Sequence, residues 1–590
     1  MKEFFKYVLA TVVGVFAVSL IGMFLMFMFI GIIISSADKQ VSVQNNSMLV
    51  LDLERQIVDR APNDPFQDFN FPGIPQMRTI GLDQILTSLE NAVSDDRIKG
   101  IYLKLSMVNG GMASVEEIRN ALLKFKESSG KPVYAYGDYF DQKSYYLATV
   151  ADEIVIHPMG AVDFRGLGGE MMFFTKALDK AGIEMQIVRH GKFKAAVEPF
   201  MHEKMSEENR EQQLVYMGSL WNHMLEGISK QRNIPVEKLN QLADDVQTFN
   251  QGTGAVETGL VDASRYKDEV LDDLRRIIGD ENAKEIPIVS ASNYSKAIIK
   301  GKDKPFTRDK IAVIYASGDI GISMGGNTII GEELGREIRK VRRDSSYKAI
   351  VLRVNSPGGS IFDAEVIWRE VKLAAEEKTM VVSFGDVAAS GGYYIASGAD
   401  RIIAHPNTIT GSIGIFGMIP NIGELMNEKL GITTDVVKTN KNSDLISLTR
   451  PMTAYERHLL QQNIEEGYDV FITHVAEGRK LSKEQVDSIG QGRVWSGRNA
   501  MDIGLIDQFG GLQEAIDLAA EIAGIENFRT VPLPSQPDPF EELFKSGTEN
   551  VRTWFMKREL GENYRYYEYL KKVSGMNGIY ARIPYDLQIN

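Results

Sequence analysis

Cysteine is absent from all 590 residues, so disulfides, thiol nucleophiles and Cys-ligated zinc or iron–sulfur sites are excluded in any compartment. Histidine is scarce, with 7 in the chain, which leaves few imidazoles to serve as a catalytic base. Positive charge is also in deficit. Against 79 Asp and Glu stand 66 Lys and Arg, a formal net charge of -13, which argues against a nucleic-acid partner and against electrostatic adhesion to anionic lipid. Apolar residues are not lacking: 44% hydrophobic and 25% charged excludes a disordered chain. At roughly 150 residues per domain, the length accommodates about three or four domain-sized units.

The N-terminus carries the longest apolar run. Tyr7 to Ile34 holds no charged residue; as a helix it would extend about 42 Å at 1.5 Å per residue, enough to cross a bilayer with tilt. A cleavable signal peptide has a core of about 7 to 15 residues, so this run reads as an uncleaved anchor. Lys2 and Lys6 precede it, and Asp38 and Lys39 follow. The positive-inside bias then leaves a short cytoplasmic tail and places everything after about residue 40 across the membrane.

The remainder repeats itself. GDYFDQKSYYLATVADEIVIHP (Gly137 to Pro158) aligns without gaps on GDVAASGGYYIASGADRIIAHP (Gly385 to Pro406), an offset of 248, from 137 to 385. Ile101 to Leu105 aligns on Ile350 to Val354, and Ala255 to Asp262 on Ala500 to Asp507, in the same order. Ordered anchors of this kind mean a duplicated domain. Each half alternates short β-branched runs (GIYLKL, PVYAYG; AIVLRV, MVVSFG) with amphipathic stretches, the pattern of an α/β fold with a mostly parallel sheet. The expected organisation is residues 1–39 as tail and anchor, 46–300 as the first repeat and 308–528 as the second. A charged, Pro-containing linker joins the repeats, and 529–590 forms a Tyr-rich tail for packing or assembly.

The second repeat has two small-residue turns after expected strands, NSPGGS (Asn355 to Ser360) and DVAASGGYY, in which Ser390 opens a helix. A serine there presents its hydroxyl at a helix N-terminus, where the N–H of Gly391 can stabilise an oxyanion. Gly358 and Gly359 of the other turn, lacking side chains, leave room for a peptide and can provide a second donor. A serine nucleophile needs a base. His405 with Asp386 or Asp400 would complete a triad. Their counterparts His157, Asp138 and Asp152 persist in the first repeat, however, where Gln142 replaces Ser390, so a structural role is simpler. A lysine is the alternative. Lys192 and Lys194 lie in VRHGKFKAAVEPF, and the position matching Lys194 in the second repeat is Ser443, so each repeat lacks what the other supplies. A lysine near pKa 10.4 acts as a base at neutral pH only when desolvated, and Ala195, Ala196, Val197 and Phe200 offer apolar surroundings. An extended segment would point Lys192 and Lys194 to one face.

GKFKAAVEPF, NSPGGS and AASGGYYIA followed by GSIGIFG together resemble the lysine, oxyanion and serine motifs of signal peptide peptidase A of the long, protease IV type. That family shares a superfamily with the Clp protease proteolytic subunit and the crotonases. The resemblance covers nearly the whole chain. It implies tandem Clp protease/crotonase-like domains behind one transmembrane helix, with Ser390 as nucleophile and Lys194 as general base. Gly391 and Gly359 would be the oxyanion donors, and Gly358, Asn355 and Pro357 would shape the turn. It further implies a single-pass protein of the inner, cytoplasmic membrane. Its catalytic domains would lie on the periplasmic side, degrading signal peptides and other apolar peptides as a bowl-like homotetramer, with no cofactor and no metal. The rival readings are a protease for a dedicated membrane-protein partner, a crotonase-type acyl-CoA enzyme and a non-catalytic peptide-binding scaffold.

Overall fold

The computed structural model describes residues 2–37, 41–62, 79–299, 307–321, 327–536 and 578–582. Asp38 and Lys39, residues 300–306 of the linker and the NYRYYEYL stretch lie outside the described residues.

The first element is a single helix, Lys2–Ala37, within which Glu3–Leu25 is long and apolar enough to cross a membrane and has none of its window buried against the rest of the chain. A soluble core helix would be buried. The exposed side chains of Phe5, Leu9, Phe16 and Phe24 instead call for an apolar surrounding.

The duplication is visible strand by strand. In the first repeat, Ala263–Ser264, Glu153–Ile156, Val133–Gly137, Ile98–Lys104, Ser47–Asp52 and Ile288–Ser290 lie side by side, every pair parallel. In the second, Gln508–Phe509, Arg401–Ala404, Thr379–Ala389, Tyr347–Ser356, Lys310–Ser317 and Arg529–Leu533 repeat that order, again parallel. The expected α/β class and tandem duplication hold. Helices cover both faces, so central strands such as Ile350 to Leu352 are apolar and buried throughout rather than alternating. Arg529–Leu533 pairs with Lys310–Ser317, so the second repeat's sheet extends past residue 528 and the segment set apart as a tail begins with that sheet's edge strand.

A third, mixed sheet joins the repeats. Its order is Thr328–Ile329, Asp319–Ile320, Gly358–Ser360, Gly578–Arg582, Phe416–Asn421 and Glu184–Arg189. The last of these belongs to the first repeat and runs antiparallel to Phe416–Asn421. Nearby, Arg353 is fully buried and ion-paired to Asp59 at 2.8 Å and Glu117 at 2.9 Å, both from the first repeat. Burial pushes the Glu117 carboxyl up, but Arg353 and His405 outweigh it and hold its pKa at about 2. Removing one member of such a buried pair leaves a stranded charge, so this contact fixes how the repeats meet.

Candidate active site

The strand Thr379–Ala389 ends in an abrupt turn at Ser390, whose φ of 55° and ψ of -114° lie outside the regions side-chain-bearing residues prefer. The turn is held from both sides. Ser390 N–H donates to Gly411 O at 2.8 Å, and Tyr394 N–H donates to Ser390 O at 2.8 Å. The helix Gly391–Ala396 then lies against the end of Tyr347–Ser356 so closely that a Cβ on Gly392 would fall 2.5 Å from Ser356 O. Backbone strain of this kind persists only where its surroundings over-determine it, and here it aims the hydroxyl.

Lys194 arrives from the other repeat. The strand Glu184–Arg189 carries the chain to the second repeat, where His190 N–H donates to Ile415 O and Phe193 N–H to Gln491 O, both at 3.1 Å. Residues 191–193 turn instead of extending, so the two lysines do not share a face: Lys192 is exposed with its ammonium over the Phe193 ring, and Lys194 is fully buried. Gly492 makes room for it, since a Cβ there would fall 2.6 Å from Lys194 Cα.

Lys194 Nζ lies 2.8 Å from Ser390 Oγ, 3.0 Å from Ser412 Oγ and 3.1 Å from Ser412 O. No carboxylate contributes to its pKa, which burial lowers well below the ordinary lysine value. A neutral amine has two N–H donors and one lone pair. The Ser412 carbonyl can only accept, so an arrangement with both N–H groups on Ser412 leaves the lone pair to accept the Ser390 proton. Sequence reasoning missed Ser412. The repeat alignment contained a signal for it, because at the same offset of 248 (412 to 164) the first repeat has the buried Phe164.

Gly391 occupies the first helical position, where the N–H has no intrahelical acceptor. On the facing turn, Gly359 has a φ of 159° and a Cβ added to it would fall 2.1 Å from Ile320 O, so only glycine fits between its neighbouring strands. Gly358 N–H donates to Ser356 Oγ at 3.2 Å, and its φ of 100° also requires glycine. Asn355 Oδ1 accepts from Val387 N–H, while its Nδ2 donates to Asp59, tying the turn both to the nucleophile's strand and to the first repeat. Pro357 separates Tyr347–Ser356 from Gly358–Ser360.

His405 and its candidate acids are engaged elsewhere. His405 Nε2 lies 3.6 Å from Glu117, Asp386 accepts from Ser114 N–H and Oγ–H, and Asp400 accepts from Met380 N–H. Asp152 of the first repeat likewise accepts from Val133 N–H, so Asp400 and Asp152 pin equivalent strand starts, while Asp386 and His405 face the first repeat. Within the tail expected to serve packing or assembly, Gly578–Arg582 runs antiparallel between Gly358–Ser360 and Phe416–Asn421, with Tyr580 packed on Phe416 and Arg582 paired to Asp319 at 3.0 Å.

The sequence profile of peptidase family S49 matches this chain twice, over residues 125–278 and 372–526. The chain belongs to peptidase family S49. Among curated S49-type relatives, "Protease 4" of Haemophilus influenzae is 34% identical over 503 residues, covering 83% of this chain and 81% of its own. "Protease 4" of Salmonella typhi is 36% identical over 482 residues, covering 80% and 76%. The chloroplastic "Serine protease SPPA" of Arabidopsis thaliana is 34% identical over 512 residues, covering 85% and 73%. This S49 chain is a serine protease, and peptides are its substrates.

Proposed function

We propose that this S49 protease works through a Ser390/Lys194 dyad assembled across its two repeats, and that it degrades spent signal peptides at the membrane. The observation that carries this reading is the 2.8 Å contact between the buried amine of Lys194, whose pKa no carboxylate raises, and Ser390 Oγ. Neutral Lys194 takes the hydroxyl proton as Ser390 attacks the peptide carbonyl, and then gives it to the leaving amine. The developing oxyanion is received by the N–H groups of Gly391 and Gly359. Water, deprotonated by the same lysine, releases the acyl group. Ser412 holds the amine in line.

The substrate's main chain lies as a strand between Gly358–Ser360 and Phe416–Asn421, a position occupied by residues 578–582 in this structure. Main-chain pairing of that kind is indifferent to sequence and suits apolar segments with no fixed recognition motif. The N-terminal helix anchors the protein in the cytoplasmic membrane with both repeats on the periplasmic side, where cleaved signal peptides remain embedded, and the protein functions as a homotetramer.

Full-length protein in detergent micelles, given a synthetic signal peptide, tests the reading by mass spectrometry of the products. Wild type should cut repeatedly within the apolar core and Ser390→Ala should not. A wild type that leaves signal peptides intact but cleaves an intact membrane protein would overturn the substrate assignment.

A further inference from the structure

The segment that carries Lys194 is tied at both ends to one helix of the first repeat. That helix, Glu207–Arg232, starts at Ser206, whose Oγ accepts from Asn209 N–H at 3.1 Å. Ahead of Lys194, Gln212 Nε2 donates to Phe193 O at 3.1 Å. Behind it, the fully buried Glu198 accepts from Asn209 Nδ2 at 2.8 Å and from Ser206 Oγ–H. The two ties are joined, since Gln212 Nε2 also donates to Asn209 Oδ1 at 3.2 Å. This chain fixes which way the Gln212 amide points. Asn209 commits its NH2 to the Glu198 carboxylate and so presents its oxygen to Gln212, which presents its own NH2 in return. The Gln212 oxygen is left to face the other way.

It faces the second repeat. Gln212 Oε1 accepts from Val494 N–H at 3.1 Å, on the strand Val494–Ser496 that ends the second repeat's sheet. The other edge of this strand pairs with Ile409–Gly411, Val494 opposite Gly411, and Gly411 O accepts from Ser390 N–H. Next to Val494, Arg493 O accepts from Ser412 N–H at 2.6 Å. The fully buried Gln212 thus bonds on one side to the peptide joining Phe193 to Lys194, and on the other to the main chain that seats Ser412 and Ser390.

The duplication supplies an internal comparison. The helix Ala454–Arg479 corresponds to Glu207–Arg232 at an offset of 247 (207 to 454, 232 to 479). At that offset Gln212 matches Leu459, whose side chain has neither a donor nor an acceptor. The same repeat has Ser443 where the first has Lys194. The amide stands in the repeat that holds the amine and is missing from the one that does not.

We infer that Gln212 is a positioning residue of this protease, its amide setting the approach of Lys194 to Ser390 by locking the segment of the base to the strand beside the nucleophile. The inference rests on the Ser390/Lys194 reading and deepens it. Gln212 acts through main chain and does not itself touch the reacting hydroxyl. Without its amide, Phe193 O and Val494 N–H are left buried and unpaired, and water drawn to them loosens and wets the seat of Lys194. A base displaced by about 1 Å can slow the reaction on the order of 100-fold. The groups that receive the peptide main chain stay in place, so the loss falls on kcat and not on KM. Wetting also relieves the burial that lowers the Lys194 pKa, which moves the acid limb of kcat/KM to higher pH.

The test compares full-length wild type, Gln212→Met, Ser219→Ala and Lys194→Met in detergent, by initial rates on a short fluorogenic peptide across pH, with folding verified by circular dichroism. Gln212→Met keeps the length of the side chain and loses its hydrogen bonds. Ser219 lies two turns along the same helix and meets the far end of the same strand, 2.7 Å from Ser496 Oγ, so Ser219→Ala reports what a weakened joint does by itself. The expected result for Gln212→Met is a kcat lower by about tenfold to a hundredfold, an unchanged KM and an acid limb displaced to higher pH, with the wild-type profile in Ser219→Ala. Gln212→Asn, its amide one methylene too short to reach both partners, should shift in the same direction and carries the test if Gln212→Met does not fold. An active Lys194→Met would overturn the dyad itself. Inactive Lys194→Met beside a Gln212→Met with wild-type kcat and acid limb would overturn the inference alone, as would an equal change in Ser219→Ala or a loss confined to KM.

Discussion

Lys194 Nζ touches Ser390 Oγ at 2.8 Å although 196 positions separate them in the chain and each belongs to a different repeat. If the amine must be neutral to accept the serine proton, the rate follows its deprotonation. Burial lowers the Lys194 pKa well below 10.5, so kcat/KM should rise with pH through that depressed value, reach a plateau below pH 10 and fall on the acid side with a slope of one proton. A stopped-assay pH profile on a short fluorogenic peptide, with stability verified at each pH, checks this.

The same burial has a thermodynamic consequence. The unfolded chain binds a proton on Lys194 up to about pH 10.4, while the folded chain releases it at the lowered pKa. Between those values the unfolded state holds more protons, so stability rises with pH. Lys194→Met removes this dependence. Its melting temperature relative to wild type should be highest at low pH, with the difference shrinking as pH rises toward the ordinary lysine value. Paired thermal scans across pH measure it.

Ser412 contacts the amine through both its hydroxyl and its carbonyl, at 3.0 and 3.1 Å. Ser412→Ala keeps the carbonyl contact and loses the other, so the lysine stays buried but loses one constraint on its direction. Misplacement of a reacting group by about 1 Å can cost on the order of 100-fold. The variant should lose about tenfold to a hundredfold in kcat, less than Ser390→Ala, with KM little changed.

The strand Gly578–Arg582 fills the place between Gly358–Ser360 and Phe416–Asn421 that the substrate main chain would take. An attached segment competes at an effective concentration of roughly millimolar. Tyr580→Asp puts a charge where a buried ring packs on Phe416, and should release the segment. KM for a short peptide should then fall while kcat holds, as measured by initial rates over a range of peptide concentrations.

Much of this was legible in the residues. The duplication showed in the recurrence of Gly137 to Pro158 at Gly385 to Pro406, because strand ends and tight turns demand the same residue types in both copies. Ser390 was legible as a strand-to-helix turn, and Lys194 as the residue that the second repeat lacks. The rest was less so. Ser412 showed only as the small polar residue standing where the first repeat has Phe164, because it contributes through a carbonyl as well as a hydroxyl and a backbone group has no sequence signature of its own. The seat of Lys194 depends on the turn at 191–193 and on Gly492, which lies almost 300 positions away, 492 against 194. The insertion of residues 578–582 into the mixed sheet is a long-range pairing with no local pattern beyond a short strand. Arg353 lies in the strand run AIVLRV with no local sign of its partners, and only the fold shows it sealed between Asp59 and Glu117.

Covalent labelling of the nucleophile tests the central claim most directly. Full-length wild type, Lys194→Met and Lys192→Met are treated with a fluorophosphonate, and the modified residue is mapped by tandem mass spectrometry with its rate of labelling. The account predicts a single adduct on Ser390 in wild type, the same adduct at a similar rate in Lys192→Met, and labelling slowed by several orders of magnitude in Lys194→Met. An adduct on another serine, or Ser390 labelled at the wild-type rate without Lys194, would contradict it.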